Sequence, residues 1–269
     1  MIKDISFGKY MPTDSFLHKM DPRFKLVLLI ASIVFVFVSS NYFSLALVTV
    51  FCFVLIAVSK VRVRLYLANL KPILPIILIT SVLSAIYVKT GTVLLSFWKI
   101  TIYSDSIERI VFMIMRISLL VIFSSILSYT TSPTMLTSAI ESLLSPLKYI
   151  GLKNAVHTMA MTMTIALRFI PTLIEETEKI MNAQKARGAD FESGGLIKRV
   201  RALIPILVPL LISSVRRAEE LANAMECRCY NGAEGRTRYK LLHFGARDIT
   251  ALVVSAVFLT GIILLNALL

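Results

Sequence analysis

Hydrophobic positions gather into long blocks that are separated by polar or basic segments. The first block, residues 26–58, would form a helix of roughly 50 Å, whereas the hydrocarbon core of a bilayer is about 30 Å thick. Polar residues at 39–41 interrupt this block. The pattern therefore predicts two membrane helices here, at about residues 22–40 and 43–59.

Three further apolar blocks predict membrane helices. They cover about residues 72–88, 107–129 and 249–269. A basic loop at residues 60–71 is predicted before the first of the three, and Pro72 and Pro75 should kink or loosen its entry. The mixed segment 92–106 is assigned no regular element, although its aromatic residues suit a membrane surface. The chain thus has about five predicted spans, four of them within residues 22–129.

Residues 130–248, between the fourth and fifth spans, show helical spacing without enough continuous apolar length to span. Three amphipathic helices are predicted, at about 134–146, 154–187 and 196–229. Each of the two longer helices would measure on the order of 50 Å. Small residues near their middles should permit a close crossing: Ala160, Thr162, Ala166, Ser213, Ser214 and Ala218. The segment is therefore predicted to be a domain of long crossing helices.

Composition agrees with a membrane location. The chain of 269 residues is 57% hydrophobic and 17% charged, and its mean hydropathy is +0.78. One soluble core of this length would not use so much apolar side chain. Residues 1–21 are mixed and polar, so no cleaved signal peptide is predicted. The predicted fold class is an all-α integral membrane protein with about five transmembrane helices plus a cytoplasmic coupling domain of long crossing helices.

The distribution of charge predicts the orientation. The net charge of +13 arises from 29 basic and 16 acidic residues. Basic residues concentrate at 3–25, 60–71 and 148–247, while loop 39–42 is uncharged and segment 89–109 is nearly balanced. Basic loops favour the cytoplasmic side and an anionic leaflet. We expect a multi-pass protein of a bacterial cell membrane with a cytoplasmic N-terminus and coupling domain and an external C-terminus, a lipid partner and no nucleic acid.

Residues able to carry chemistry are sparse. No Gly-rich phosphate-binding loop is present, so ATP, if used, is expected on another chain. The histidines, His18, His157 and His243, are far apart in sequence, and polar or interfacial roles are favoured over catalysis. Structural zinc needs four ligands, and Cys227 and Cys229 have no second pair near them in sequence. Neither a catalytic residue, a metal site nor a bound cofactor is predicted.

Three residues are candidate contacts with a partner. Arg116 is the only charge well inside a predicted span, and intramembrane charges are functional candidates by default. Its alternative role is pairing with a backbone carbonyl near the outer mouth. Met159 and Met163 share one long helix, and methionines make adaptable contact surfaces. Filling a core is the alternative for both.

Two arginine tripeptides close the two long helices. They are Ala186-Arg187-Gly188 and Cys227-Arg228-Cys229. Gly188 accepts the left-handed conformation that ends many helices, which leaves the Arg187 guanidinium at the tip. Such a fork of donors can pair with a partner's carboxylate. A dipole interaction would explain either arginine alone, but two matching tips make docking an equally good interpretation.

With these residues in view, the chain resembles the transmembrane T component of energy-coupling factor transporters, the vitamin and metal importers of the ABC class. The run from Pro12 to Lys25, PTDSFLHKMDPRFK, is similar to the opening signature of that family. Ala186-Arg187-Gly188 matches its first Ala-Arg-Gly motif. The second motif keeps Arg228 but has Cys227 for alanine and Cys229 for glycine.

The resemblance implies a non-catalytic subunit that transmits the ATP-driven movement of two ABC-type ATPase subunits to a membrane-embedded, substrate-binding S component. It places ATP and Mg²⁺ on the ATPases and none on this chain. The implied ATPase-docking residues are Ala186, Arg187, Gly188, Cys227, Arg228 and Cys229. Two alternatives remain: an ordinary ABC permease that binds its own vitamin or metal, and a stand-alone ion-coupled carrier or membrane enzyme, which would need more ionisable residues inside its spans.

Overall fold

The computed structural model describes residues 10–87, 90, 92–97, 100–151, 153–191, 195–232 and 244–268. Helices dominate this part of the chain. The α-helices are α1 (Pro22–Val38), α2 (Tyr42–Ser59), α3 (Val63–Leu70), α4 (Leu74–Tyr87), α5 (Ser104–Thr130), α6 (Pro133–Leu143), α7 (Lys153–Ala186), α8 (Leu196–Glu226) and α9 (Ala246–Leu268). Two 3₁₀ turns, Lys71–Ile73 and Ser145–Ile150, and two strands, β1 (Val93–Phe97) and β2 (Ile100–Tyr103), complete the described elements.

The described residues form two compact units. One contains those between 137 and 239, and we call it the coupling unit. The other contains those between 10 and 136 and those from 244 onward, and we call it the membrane unit. The long helices α7 and α8 belong to the first, whereas α1 to α5 and α9 belong to the second.

Four stretches of helix among the described residues have the length and apolar composition to cross a membrane. They are Tyr42–Ser59, Val63–Ala85, Ser104–Thr130 and Ala246–Leu268. Helix α1 has 17 residues, which is at the short end of the range of about 17–25 residues seen for membrane helices. The chain is therefore a multi-pass membrane protein, and the predicted helical membrane fold is confirmed.

Local capping explains why the first apolar block forms two helices. The Asp21 carboxylate accepts a 2.9 Å hydrogen bond from the Arg23 backbone N–H and so caps α1. At the start of α2, the Asn41 backbone N–H donates to the Ser44 hydroxyl over 3.2 Å as part of a capping box. The polar residues between the two helices thus end one span and begin the next, as the sequence predicts.

The third span begins earlier than the sequence predicts. Residues 60–71 are expected to form a loop, but α3 already starts at Val63 and so carries Arg64 on a helix. Pro72 lies in the first turn of the 3₁₀ segment. A backbone N–H at this position would have no partner within the turn, so proline loses no hydrogen bond there. The α-helix is thus interrupted by a 3₁₀ turn at Pro72, and Pro75 lies in the first turn of α4.

A short antiparallel hairpin precedes α5, where no regular element is predicted. Val93 pairs with Tyr103 and Phe97 with Ile100. The strands have only five and four residues, too few to show the alternation by which a half-buried strand is recognised. The predicted membrane-surface role of Trp98 falls outside the described residues.

The core of the membrane unit is aromatic and joins four helices. Phe51 of α2 is 1% exposed. Its ring centroid lies 5.7 Å from that of Phe35 in α1, 6.1 Å from Phe123 in α5 and 4.7 Å from Phe258 in α9. Tilted rings at these distances contribute stability beyond their buried area. Phe51 is therefore the side chain around which this bundle packs.

Candidate docking site

Helix α7 ends in a Schellman motif that presents Arg187. Gly188 has a left-handed backbone, with φ of +84°. The Gly188 N–H donates to the Lys185 carbonyl over 3.0 Å, and the Ala189 N–H donates to the Gln184 carbonyl over 3.0 Å. These bonds satisfy carbonyls that the end of a helix would otherwise leave unpaired. Arg187, directly before the left-handed residue, is exposed.

Helix α8 ends in the same way, with a cysteine in the glycine position. Cys229 is left-handed, with φ of +53°. Its N–H donates to the Glu226 carbonyl over 2.8 Å, and the Tyr230 N–H donates to the Met225 carbonyl over 3.1 Å. Arg228 directly precedes the left-handed residue and is exposed. The helix end expected from Gly188 is therefore observed, and Arg228 has the same place in its own motif.

The two cysteines of the second motif have different structural effects, one on a surface side chain and the other on the backbone. Cys227 is exposed, as is Ala186, the corresponding residue of the first motif, so this substitution alters only a surface side chain. Cys229 must adopt a conformation that costs an ordinary L-residue about 1–2 kcal/mol. At Gly188 an added Cβ would meet no heavy atom within 4 Å, so the backbone angle and not lack of space favours glycine there.

A cleft of about 460 Å³ lies beside the α8 tip, within the coupling unit. Arg228 and Arg168 line it together with an apolar floor that includes Phe169 and Met225. No carboxylate is among the described residues that line it. The tip of α8 is therefore a concave, positively charged surface with an apolar base, which suits an acidic side chain of a partner.

An ion pair joins the two long helices. The Arg217 guanidinium of α8 donates to the Glu176 carboxylate of α7 over 2.6 Å. This hydrogen bond is the main reason that the pKa of Glu176 lies below its ordinary value of 4.5. The pair fixes α7 and α8 relative to each other well away from both arginine tips.

The small residues predicted at the crossing differ in burial on both helices. On α7, Ala160 is buried, whereas Thr162 and Ala166 are exposed. On α8, Ser213 and Ser214 are half-buried, whereas Ala218 is exposed. The close crossing through these residues therefore stays a prediction, and the contact between Glu176 and Arg217 is one that the spacing of small residues could not reveal.

The coupling unit exposes much apolar surface. Met159 is 45% exposed and Met163 is 37% exposed, so neither fills a core in this chain. Large apolar side chains are also exposed along α8: Leu203, Ile204, Leu207, Leu211, Ile212 and Val215. Such a surface is typical of a contact with a membrane or an apolar partner. The assignment of Met159 and Met163 to partner contact remains a prediction.

Arg116 bonds to a backbone carbonyl, as its alternative role anticipates. Its Nη2 donates to the carbonyl of Ser39 over 2.8 Å. The Arg116 Cζ atom lies 4.8 Å from the centroid of the Phe112 ring. The bond places the guanidinium level with the end of α1, not in the middle of the membrane unit. Its contact with a partner stays a prediction.

The opening signature forms a buried polar cluster that the sequence does not reveal. Lys25 is 5% exposed, and its Nζ donates to the Thr130 carbonyl over 2.9 Å. Asp248 is 2% exposed, and its carboxylate accepts 2.9 Å bonds from the backbone N–H groups of Asp21 and Gly245. The cluster ties the start of α1 to the end of α5 and the start of α9. The only sequence signal for Asp248 was an acid just before an apolar block.

His18 belongs to this N-terminal segment and has a structural role. Its ring contacts the Ser15 hydroxyl at 2.6 Å and the Met11 carbonyl at 2.9 Å. Burial is the main reason that its pKa is lowered. This environment agrees with the expected polar histidine.

Among the described residues, no group of three or more His, Cys, Asp and Glu side chains could hold a metal ion.

Comparisons with known proteins agree over nearly the whole chain. Residues 13–239 match the family model described as CbiQ, cobalt transport protein. A protein named energy-coupling factor transporter transmembrane protein EcfT, from Ruminiclostridium cellulolyticum, is 47% identical over 99% of this chain and 98% of its own length. Proteins of the same name are 49% identical in Clostridium kluyveri, over 93% of each chain, and 40% identical in Lactococcus lactis, over 98% of each chain.

The family match includes the opening signature apart from Pro12 and both helix tips with their arginines. The relatives extend the similarity to α9 and so to nearly all of this sequence. The chain therefore belongs to the CbiQ family of transport proteins, together with the transmembrane components of energy-coupling factor transporters.

Proposed function

We propose that this chain is the transmembrane coupling subunit of an energy-coupling factor importer. It transmits ATP-driven movement of two ABC-type ATPase subunits to a substrate-binding S component, for uptake of a vitamin or a trace metal. The observation that carries the proposal is the pair of matching helix ends, in which Arg187 and Arg228 directly precede a left-handed residue and are exposed. The names of the relatives support the same assignment.

Each arginine tip docks on one ATPase subunit. Five N–H donors in a planar fork suit a carboxylate in a groove of the partner. Ala186 and Gly188 accompany Arg187, and Cys227 and Cys229 accompany Arg228. ATP and Mg²⁺ bind to the ATPases, so this chain acts without catalytic residues of its own.

Movement passes along the helices because each is long and they are held together. Helix α7 has 34 residues and α8 has 31, so each is roughly 45–50 Å long at about 1.5 Å per residue. The Glu176–Arg217 pair joins them at 2.6 Å. A change in the separation of the two ATPases is therefore carried along α7 and α8 to the other end of the joined pair.

The exposed apolar face of the coupling unit contacts the S component. Met159 and Met163 supply flexible thioether side chains, which adapt to more than one partner surface. The N-terminus and the coupling unit lie in the cytoplasm of a bacterial cell, and the C-terminus lies outside. Arg116 is a second candidate contact, at the opposite, outer end of α1.

Charge reversal at the tips tests the docking. We expect Arg187→Glu and Arg228→Glu each to weaken co-purification of the ATPase subunits strongly and the double variant to abolish it together with ATP-driven uptake, because each removes a charge-assisted contact and adds repulsion. Arg216→Glu, at an exposed arginine within α8, is the matched control and should retain the ATPases. Normal uptake by the double variant, or substrate binding by the chain without an S component, would contradict the proposal.

A further inference from the structure

A second cleft lies in the membrane unit, where α1 ends and α2 begins. Its volume is about 770 Å³, which is within the range of about 300–1,000 Å³ common for ligand sites. Its lining includes Tyr42, Phe43, Arg109, Phe112, Met113 and Arg116. The proposed coupling function names Arg116 as a candidate contact with a partner protein, but it assigns no small ligand to this cleft.

The cleft has unused capacity for an anion. The Nη2 of Arg116 is occupied by the Ser39 carbonyl, whereas no hydrogen bond joins its Nη1 to another described residue. A guanidinium with a terminal donor still available can bind an anionic oxygen. Arg109 is exposed and lines the same cleft. Glu108 also lines it, which leaves a net positive charge.

The geometry holds these arginines in place. Phe112 lies under the Arg116 guanidinium at 4.8 Å and packs edge-on against Tyr42 at 5.6 Å between centroids. The Tyr42 hydroxyl donates to the Glu108 carbonyl over 3.2 Å, which fixes the start of α2 against α5. The cleft is thus preformed by contacts between described side chains.

The level of the cleft matches that of lipid headgroups. Arg116 bonds to Ser39, in the polar turn at which two apolar helices end, and the Asn266 amide donates to the Val38 carbonyl over 2.7 Å near the end of α9. Three spans therefore reach their polar ends at this level. Arginine near the end of a membrane helix normally places its head at the interface.

The walls of the cleft are apolar and continue into the lipid-facing surface. Phe43 is 66% exposed, and Met113 lies beside Phe112 on α5. On α4, Leu83 is 48% exposed next to Ser84, which lines the cleft. A small soluble anion would leave these walls uncovered, whereas a phosphate joined to acyl chains would cover them.

We propose that this cleft binds one membrane phospholipid. Arg109 and Arg116 bind the phosphate group, with the Arg116 Nη1 as one donor, and Phe43 and Met113 contact the start of the acyl chains. In the proposed orientation the lipid belongs to the outer leaflet. Phosphate of a soluble compound shares the headgroup chemistry, and the apolar walls favour the lipid source.

Native mass spectrometry of the full chain in detergent, titrated with phosphatidylglycerol, tests the site. We expect one retained lipid whose affinity falls about tenfold or more in the Arg109→Gln/Arg116→Gln variant, because two hydrogen bonds to a charged group are lost. Arg116→Lys should keep most of the binding, which separates loss of charge from loss of fold. The control is Arg64→Gln, an exposed arginine beyond the other end of α2, which should retain the lipid.

Parallel titrations with inorganic phosphate and glycerol 3-phosphate separate the two sources. Binding of the lipid in preference to both soluble compounds supports the proposal, whereas displacement of the lipid at equal concentration of either one assigns the cleft to a soluble anion and overturns it. Unchanged lipid retention by the double variant also overturns it. The proposal is also overturned if the double variant keeps its lipid but loses a protein that co-purifies with the wild type. All these outcomes are independent of whether the arginine tips bind ATPases.

Discussion

The membrane unit and the coupling unit bury their apolar side chains very differently. In the membrane unit, large side chains such as Phe51 and Tyr129 are at most 2% exposed. In the described part of the coupling unit, the buried apolar side chains are Ala139, Ala160 and Ile206. The first unit has its own core, whereas the second exposes surface that only lipid or a partner can cover. The membrane unit therefore contributes most of the stability, and the coupling unit supplies most of the surface for recognition.

The strongest test of this contrast compares two truncations. Phe51→Ala should destabilise the membrane unit by about 3–5 kcal/mol, because it leaves a cavity among three other rings. Leu211 is 66% exposed, so Leu211→Ala should change the free energy of unfolding by less than about 0.5 kcal/mol. It should instead weaken retention of the S component. Unfolding can be followed by labelling of Cys52, which is buried, in a variant without the exposed Cys227 and Cys229. Equal destabilisation by both truncations would show that the coupling unit has a core of its own.

The next effect concerns the buried polar cluster. Asp248→Leu should destabilise the membrane unit by about 2–4 kcal/mol, because the backbone N–H groups of Asp21 and Gly245 lose their acceptor and Lys25 loses a nearby opposite charge. The same Cys52 labelling assay measures the change. Asp14→Leu is the control, since Asp14 pairs with Lys19 at the exposed surface. A tolerated Asp248→Leu would mean that the cluster is dispensable for the fold.

Smaller effects are expected at the two helix tips of the coupling unit, where α7 and α8 differ in backbone demand. Gly188→Ala should destabilise the end of α7 by about 1 kcal/mol, because φ of +84° suits glycine. Cys229→Gly should stabilise the end of α8 by about the same amount. Amide hydrogen exchange at Ala189 and Tyr230, whose N–H groups close the two motifs, reads each change directly. Exchange that shifts in the same direction in both variants would contradict the matched geometry.

The smallest effect concerns the pair that joins α7 and α8. The pKa of Glu176 is lowered by Arg217, so the pair contributes stability at pH values above the unfolded pKa of Glu176 and loses it as pH falls through the lower folded value. Lowering the pH from 7 to well below the ordinary glutamate pKa of about 4.3 should therefore loosen α7 from α8 in the wild type, and Glu176→Gln should remove that pH dependence. A spin-label distance between the two helices would measure it. An unchanged pH response in the variant would assign it to other groups.

Much of the membrane unit could be predicted because span length and polar breaks are encoded locally. Asp21, Pro22 and the polar turn at 39–41 define α1 and α2 from sequence alone. The start of α3 was missed because Arg64 and Lys71 looked like a loop, although both charges sit on helical turns at the end of a span. The hairpin was missed because its strands are too short for a clear alternation of apolar and polar residues.

The candidate site likewise combines features that are local in sequence with contacts between residues that are distant in sequence. Arg187 and Gly188 are adjacent in sequence, so a left-handed helix end was predictable, and the structure has it. The pairing of Glu176 with Arg217 and of Asp21 with Asp248 joins residues that are distant in sequence. Such contacts depend on the packing of whole helices, which a single sequence does not reveal.

Cys229 makes the two arginine tips chemically unequal. The left-handed residue after Arg187 is glycine and adopts its conformation at little cost, whereas the one after Arg228 holds a strained angle that is relieved when the turn opens. The α8 tip should therefore unwind more readily than the α7 tip under the same pull. If two different ATPase subunits dock on the two tips, their docking sites are not equivalent. The subunit on α7 binds a helix end that resists unwinding, and the subunit on α8 binds a helix end that unwinds more readily.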